Sequence, residues 1–391
     1  MTTRSKVMAF AGFGLAAAVG ISGCGSSSDS AEGESGSGTS AGTPKEKVSA
    51  AFQSLNNSSS AGFTLKLDSS AADLEKISAA QDSSEQMDAS DKKTIEEILK
   101  GKVTMNVTAP EGKTFADAAK AQASASSEDL LKDPAAFEAA LKNSGSVATS
   151  VVYEDAGLVE FVSKDGVFYL RADADKIATL SGQNLSSVTG SLGALPPVIA
   201  TPAEKLLGGE WVSLDLVKTM NILDKNGLLD QLSQEQGTAA SAAAVDPAKV
   251  QKLVTSLQAS YEADSQVTEV DGGYQVSVPY EKTADAINDD LVALVGADEV
   301  ADLRKELKEA PNENLTFTVR VDGDKLSGIN IDLKQFLKKP VEDATFAIDL
   351  AVDAESSEVQ VPSGATAVDI EGLFNLIPAD SLAGLTSGSG L

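Results

Sequence analysis

Three times in this chain an Asp-Gly pair separates two stretches of β-type sequence, at Asp165-Gly166, Asp271-Gly272 and Asp322-Gly323. Asp-Gly in that setting is the strongest short-range hairpin signal, because both turn residues can take positive φ. The joined segments are Val159–Ser163 with Val167–Arg171, Gln266–Val270 with Tyr274–Val278, and Leu315–Val321 with Lys325–Leu333. Strict apolar alternation runs through Phe63, Leu65 and Leu67, through Val103, Met105 and Val107, and through Tyr274, Val276 and Val278. It returns at Leu315, Phe317, Val319 and Val321, at Ile329, Ile331 and Leu333, and at Phe346, Ile348, Leu350 and Val352. Each run gives a strand one apolar and one polar face, so the pattern predicts an antiparallel sheet covered on one side.

Helical patterns lie between the hairpins. An early helix is predicted from about Lys45, with Val48, Phe52 and Leu55 inward. Asp133-Pro134 and Asp246-Pro247 each offer an N-cap followed by proline at the first helical position. The first leads to Phe137 and Leu141 on one face, with Gly145 just past the end; the second leads to Val250, Leu253, Val254, Leu257 and Tyr261. From Asp285 the residues Ile287, Leu291, Leu294 and Val295 form another stripe. It breaks at Gly296 and resumes through Val300, Leu303 and Leu307 to Pro311. Segments 71–90, 119–128 and 234–244 are rich in Ala, Ser, Gln and Asp, and read as surface insertions, partly helical or mobile.

The N-terminus follows a different logic. Arg4 and Lys6 precede an apolar run from Val7 to Ile21, too short to span a bilayer but the length of a signal-peptide core. Ile21-Ser22-Gly23-Cys24 resembles the lipobox of bacterial lipoproteins. In that class the cysteine sulfur receives a diacylglyceryl group, and cleavage makes Cys24 the new N-terminus. The alternative is an ordinary cleaved signal with a chance cysteine; the chain's only cysteine standing at this one position favours lipidation. Residues 1–23 are therefore read as a lipoprotein signal peptide. Residues 24–44, almost all Gly, Ser, Ala and acid, read as a flexible acidic linker, and 377–391 as a loose tail. Between them, 45–376 reads as a single α+β domain with insertions.

Charge and histidine content exclude whole classes of function. Of 31 basic residues, removing Arg4 and Lys6 leaves 29 against 58 acidic ones, a mature charge of −29. A body this acidic repels phosphate backbones and anionic headgroups, so no nucleic-acid partner is expected and the acyl anchor must do the holding. With Cys24 modified no disulfide can form. There is no histidine, which removes the commonest general base and the usual zinc sites.

The order of segments also carries a resemblance. Ser60-Ala-Gly-Phe-Thr-Leu-Lys-Leu67 follows an amphipathic helix, and Gly101-Lys-Val-Thr-Met-Asn-Val107 comes later. Then come Val159-Glu-Phe-Val-Ser-Lys-Asp-Gly-Val-Phe-Tyr-Leu170, Gly209-Glu-Trp-Val-Ser-Leu214, Leu315-Thr-Phe-Thr-Val-Arg-Val-Asp-Gly323 and Val359-Gln-Val-Pro-Ser-Gly-Ala365. This succession is similar to actinobacterial lipoproteins of the LppX/LprG type and, more loosely, to the lipoprotein carrier LolA. The resemblance implies a curved antiparallel sheet, a half-barrel, with helices covering its concave face over a cavity for acyl chains. Carried over to this chain, the ligand-facing candidates are Phe63, Leu65, Leu67, Val103, Met105, Phe161, Phe317 and Val319. The family has no catalytic residues, so none is assigned, and no cofactor or metal is expected.

Bland readings stand beside these. Apolar strand faces must cover a core whether or not a ligand exists, at roughly 1.5–3 kcal/mol per buried leucine-sized side chain. Trp211 reads as a packed core anchor opening a short strand. The pairs Asp173/Asp175 and Asp322/Asp324 lack the spacing of a calcium loop and read as solvated carboxylates. The expectation is a monomeric, non-enzymatic lipoprotein on the outer face of the cell membrane that holds a lipid or other hydrophobic ligand. The alternative is a surface lipoprotein with a structural, sensory or adhesive role.

Overall fold

The computed structural model describes residues 42–81, 89–118, 133–181, 184, 192–226, 247–308, 311–339 and 341–376. The signal segment, Cys24, the linker up to residue 41, the insertions at 119–128 and 234–244, Asp246 and the 377–391 tail lie outside the described residues.

The described elements begin with α1 (Pro44–Asn56), β1 (Ser60–Ser69), α2 (Ala71–Ala80), α3 (Ala89–Leu99), β2 (Gly101–Thr108) and α4 (Pro134–Lys142). Next come β3 (Ser146–Tyr153), β4 (Ala156–Lys164), β5 (Val167–Ala172), α5 (Ala174–Ser181), α6 (Pro197–Leu207), β6 (Val212–Asp215) and α7 (Leu216–Lys225). After these follow α8 (Pro247–Asp264), β7 (Gln266–Val270), β8 (Gly273–Pro279), α9 (Tyr280–Ala286), α10 (Asn288–Val295) and α11 (Ala297–Lys308). The last are β9 (Asn314–Asp322), β10 (Lys325–Asp332), β11 (Phe346–Asp353), β12 (Thr366–Ala367) and α12 (Ile370–Asn375). The architecture is mixed α+β and mostly antiparallel, and the strand order is linear, without closure into a barrel. The described residues group into two compact units, one drawn from 42–102, 113–118 and 247–357, the other from 103–112, 133–226 and 358–376.

In the first unit the strand order is β1-β11-β10-β9-β8-β7. Register places Leu65 opposite Leu350, Leu350 opposite Ile329, Ile329 opposite Val319 and Val319 opposite Tyr274. Residues opposite one another in antiparallel strands share a face, so the alternation read from sequence becomes one apolar surface. Helix α1 packs on β7, β9 and β10. Thr43 and Glu46 form a capping box at its start, and Val48, Phe52 and Leu55 turn inward. Val48, Val276 and Val319 have no exposed surface, and Phe317 and Ile331 almost none, so the part of this face beneath α1 is filled, while Phe63, Leu65 and Leu67 of β1 and Ile348 and Leu350 of β11 are half-buried.

Two expectations need correction here. The 71–90 segment is not simply a surface insertion: Ser70 caps α2, and Ile77 is buried against Leu337 and Ala344. The stripe from Asp285 is not one helix to Val295. Ile287, 1 % exposed, leaves helical geometry at φ −103°, ψ 3° and separates α9 from α10. The break at Gly296 falls where the pattern places it, at φ 100°.

The hairpin turns show what dipeptide composition predicts well and badly. Only Asp165-Gly166 has positive φ at both residues, 54° and 79°. At the β9–β10 turn Asp322 pairs with Lys325, so the central residues are Gly323 and Asp324, with φ positive at the glycine alone. The other turn with two left-handed residues has no glycine: Glu154 (φ 47°) and Asp155 (φ 66°) join β3 to β4. A side chain in that region is strained. Changing Glu154→Asn together with Asp155→Gly is expected to raise stability by about 1 kcal/mol, read from urea unfolding. An unchanged or lowered midpoint would count against this turn geometry.

Candidate functional site

In the second unit the strand order is β12-β6-β5-β4-β3-β2, with β12 parallel to β6. Phe161 of β4 lies opposite Leu170 of β5, and Leu170 lies opposite Val212 of β6. These three share one sheet face with Val159, Ala172, Phe168 and Leu214, their neighbours two residues along each strand. This face is less covered than the part of the first unit's face that lies beneath α1. Leu170 is 38 % exposed, Phe161 and Phe168 are half-buried, and the two rings meet edge to face at 5.3 Å.

Helix α6 packs on β5, β6 and β12, and against α5 and α12. Its sequence is a poor helix on paper. Pro197 suits the first turn, but Pro202 sits inside and cannot donate to the Val198 carbonyl. Tertiary packing sustains it through buried Ala200 and the half-buried Ala203 and Leu206. The helix ends at Gly209, whose φ of 73° lets Glu210 donate its N–H to the Lys205 carbonyl at 2.9 Å and turns the chain directly into β6. The Lys205–Glu210 ion pair spans that turn at 2.9 Å.

The other wall is also locally determined. Thr366 and Val368 donate to the carbonyls of Trp211 and Ser213 at 2.8 Å each, so the chain runs along β6. Asp369 then caps α12 by accepting from the Gly372 N–H at 3.0 Å. Between α6, β6 and α12 lies an open pocket of about 260 Å³. It is lined by Val198, Ile199, Pro202, Ala203, Leu206, Val212, Val368 and Leu373. No side chain in that lining can titrate, ligate a metal or donate a hydrogen bond. Such a wall can receive apolar matter and has no group with which to do acid–base chemistry.

The polar residues of this unit are spent elsewhere. Strand alternation puts Glu160 and Arg171 on the opposite sheet face, where they form an ion pair. The Arg171 guanidinium also lies 5.2 Å from the Trp211 ring centre. Trp211 is half-buried beneath it rather than being a core anchor. Asp173 caps α5, accepting from the Lys176 N–H at 2.9 Å. Among the described residues, no three His, Cys, Asp or Glu side chains are grouped so that they could hold a metal ion. A larger cleft in the first unit, about 470 Å³ and lined by Pro311, Asn312, Glu313, Asn314, Thr316 and Gln335, is polar. Its groups bond to one another: Thr316 and Gln335 exchange two hydrogen bonds of 2.8 Å, and Asn312 donates to the Gln335 carbonyl at 2.6 Å.

The eight ligand-facing candidates fall in different places. Phe63, Leu65, Leu67, Phe317 and Val319 share the first unit's apolar face; Phe317 and Val319 sit in the filled core beneath α1, while Phe63, Leu65 and Leu67 on β1 are half-buried. Val103 and Met105 lie on β2, the former 38 % exposed and the latter half-buried. Phe161 belongs to a cross-strand row that reaches the pocket wall at Val212. None of the eight lines the pocket itself. Cys24 lies outside the described residues.

Helix α6 is hard to read from sequence because Pro202 stands inside it, although Val198, Ile199, Ala203 and Leu206 recur at helical spacing. A different signal was present. From Ile177 to Ala203 no charged residue occurs, in a chain whose residues are 23 % charged. No protein-family model matches this chain, and a search of curated proteins returns no match.

Proposed function

We propose that this protein is an extracytoplasmic lipoprotein, anchored through Cys24, that binds the apolar part of a lipid or similar molecule in the α6–β6–α12 pocket. The observation that carries the binding reading is the wholly apolar lining of that pocket, continuous with the half-covered sheet face of Phe161 and Leu170. The lipobox at Ile21–Cys24 and the resemblance to LppX/LprG-type lipoproteins support the anchoring and the class of ligand. The site is placed elsewhere than that resemblance implied, because the first unit's apolar face is filled where α1 crosses it, at Phe317 and Val319.

Pocket size limits what binds. At about 260 Å³ it falls just below the roughly 300–1,000 Å³ of sites that enclose a whole drug-sized ligand. It suits a segment of one acyl chain, the remainder lying along the sheet face. Burying five methylenes would contribute about 4 kcal/mol, the free energy of a dissociation constant near 1 mM, and each further methylene adds about 0.8 kcal/mol. Affinity should therefore rise steeply with chain length.

The test is titration of the unlipidated mature chain with fluorescent fatty acids of increasing length, beside native mass spectrometry of protein from an actinobacterial host. Saturable uptake that strengthens with length is expected, and Ala203→Phe, which fills the pocket, should weaken it at least tenfold. No uptake by either method would overturn the reading. It would favour a surface lipoprotein with a structural, sensory or adhesive role, a reading consistent with the filled core of the first unit.

A further inference from the structure

The outer face of the first unit's sheet carries side chains of one chemical kind. Register sets Thr268 opposite Gln275, Gln275 opposite Thr318, and Thr318 opposite Asn330, one row across β7, β8, β9 and β10. The next row sets Ser277 opposite Thr316. Residues opposite one another, or two apart on one strand, share a face. The intervening Val276, Phe317, Val319 and Ile329 are buried on the other side, where α1 packs. Thr268 and Gln275 are exposed, and Thr318, Asn330, Ser277 and Thr316 are half-buried. Among the described residues, none of these side chains makes a hydrogen bond or an ion pair. In a chain with 58 acidic residues the two rows hold no charge. Charges on their border are compensated: Asp349, opposite Asn330, binds Arg320 at 2.6 Å, and Asp332 stands 3.7 Å from Lys334. The polar cleft of about 470 Å³ continues this face, because Asn314 and Thr316, two apart on β9, both line it. Gln335 walls the cleft, its amide bonded to the N–H and the carbonyl of Thr316 at 2.8 Å each. The side chains of Glu313, Asn314 and Thr316 make no such bond among the described residues.

We propose that this face and its cleft bind a neutral polysaccharide, with one sugar residue beside Glu313, Asn314 and Thr316 and the polymer continuing across Thr318 and Gln275. Amide and hydroxyl groups both donate and accept, which matches the adjacent hydroxyls of a sugar ring. The Glu313 carboxylate adds one stronger acceptor at the cleft end. Other occupants fit this chemistry less well. A lipid or other apolar ligand meets no apolar side chain in either row. A polyanion is repelled by a chain of formal charge −27. A protein partner finds in these rows no Trp, Tyr or Arg anchor of the kind that dominates protein interfaces. With no aromatic ring for a sugar to stack on, affinity comes from repeated contacts along a polymer. The proposal goes beyond the lipid-binding reading and does not depend on it, since the apolar pocket belongs to the second unit.

The experiment is affinity electrophoresis of the full mature chain carrying Cys24→Ser, through gels holding mannan, dextran, galactan or the acidic polygalacturonate. Retardation by at least one of the three neutral polymers is expected, unchanged by added salt. Thr318→Val with Gln275→Met keeps side-chain shape and removes the hydrogen-bonding groups, so it should raise the dissociation constant about tenfold. Gln360→Met, at an exposed position in the second unit, should leave it unchanged, with urea midpoints confirming the fold of both variants. Fatty-acid uptake should be the same in all three proteins, so loss of polysaccharide binding alone leaves the lipid pocket standing. Retardation by none of the neutral polymers would overturn the proposal, as would retardation by polygalacturonate alone. Retardation undiminished in the double variant would move the site off this face and overturn it too. A concentration-dependent dimer abolished by the same double change would assign the face to a second copy, and also overturns the proposal.

Discussion

Phe317→Ala is expected to destabilise the protein by about 3–5 kcal/mol, a large share of the 5–15 kcal/mol that a folded domain commands. Phe317 is 2 % exposed, stands opposite Val276 on β8, and belongs to the cluster closed by Val48, Phe52 and Leu55 of α1. Removing the ring leaves a cavity beneath a helix held on three strands, with little freedom to collapse. Phe161→Ala should behave differently. Its ring is half-buried and pairs with Phe168, so the expected loss is about 1–2 kcal/mol. The paired measurement is urea unfolding of both variants together with fatty-acid uptake. Phe161→Ala should weaken uptake, and Phe317→Ala, under conditions where it remains folded, should not. The opposite pattern would place the ligand face in the first unit.

Stability should also fall steeply at alkaline pH. Tyr261 and Tyr280 are 4 % and 3 % exposed in the first unit's core. Burial pushes the Tyr261 hydroxyl up to about 12 and the Tyr280 hydroxyl higher still. An unfolded tyrosine ionises near 10, so each native hydroxyl keeps its proton where the unfolded chain has lost its own. The contribution is fully present below pH about 10 and is lost as pH rises through the folded values. For Tyr261 alone the change by pH 12 is roughly 2–3 kcal/mol. Unfolding midpoints measured from pH 8 to 12 should be level and then drop, and Tyr261→Phe should remove part of the drop. A drop of undiminished size in Tyr261→Phe would assign it to other groups, Tyr280 among them.

The strands of the first unit were legible because one face of each is buried. A period-two pattern such as Leu315-Thr-Phe-Thr-Val319 has meaning only on a pleat, and its register with β8 and β10 follows once the apolar positions must coincide. Helix α1 was legible for the equivalent reason, with a capping box at Thr43 and Glu46 and inward residues at helical spacing. Helix α6 was not. Its interior proline reads as a helix breaker and its first two turns lack charge, and what holds it is contact with β5, β6 and β12, elements joined to it only by the fold. The β3–β4 turn was hidden too, since Glu154-Asp155 has none of the usual turn composition and is held in shape by the strands it joins.

The sequence by itself determined the strand-rich character of the first unit and the chemistry the chain has to work with. The charge, the missing histidine, the single cysteine in a lipobox-like site and the alternating strand runs are properties of composition and spacing, and they need no coordinates. Which apolar face is filled and which is left open was decided only by tertiary structure. Phe317 and Phe161 sit in nearly the same local pattern, yet one is sealed under α1 while the other shares its sheet face with a pocket. The difference is volume, set by how helices remote in sequence pack across a sheet, and no run of residues along one strand encodes it.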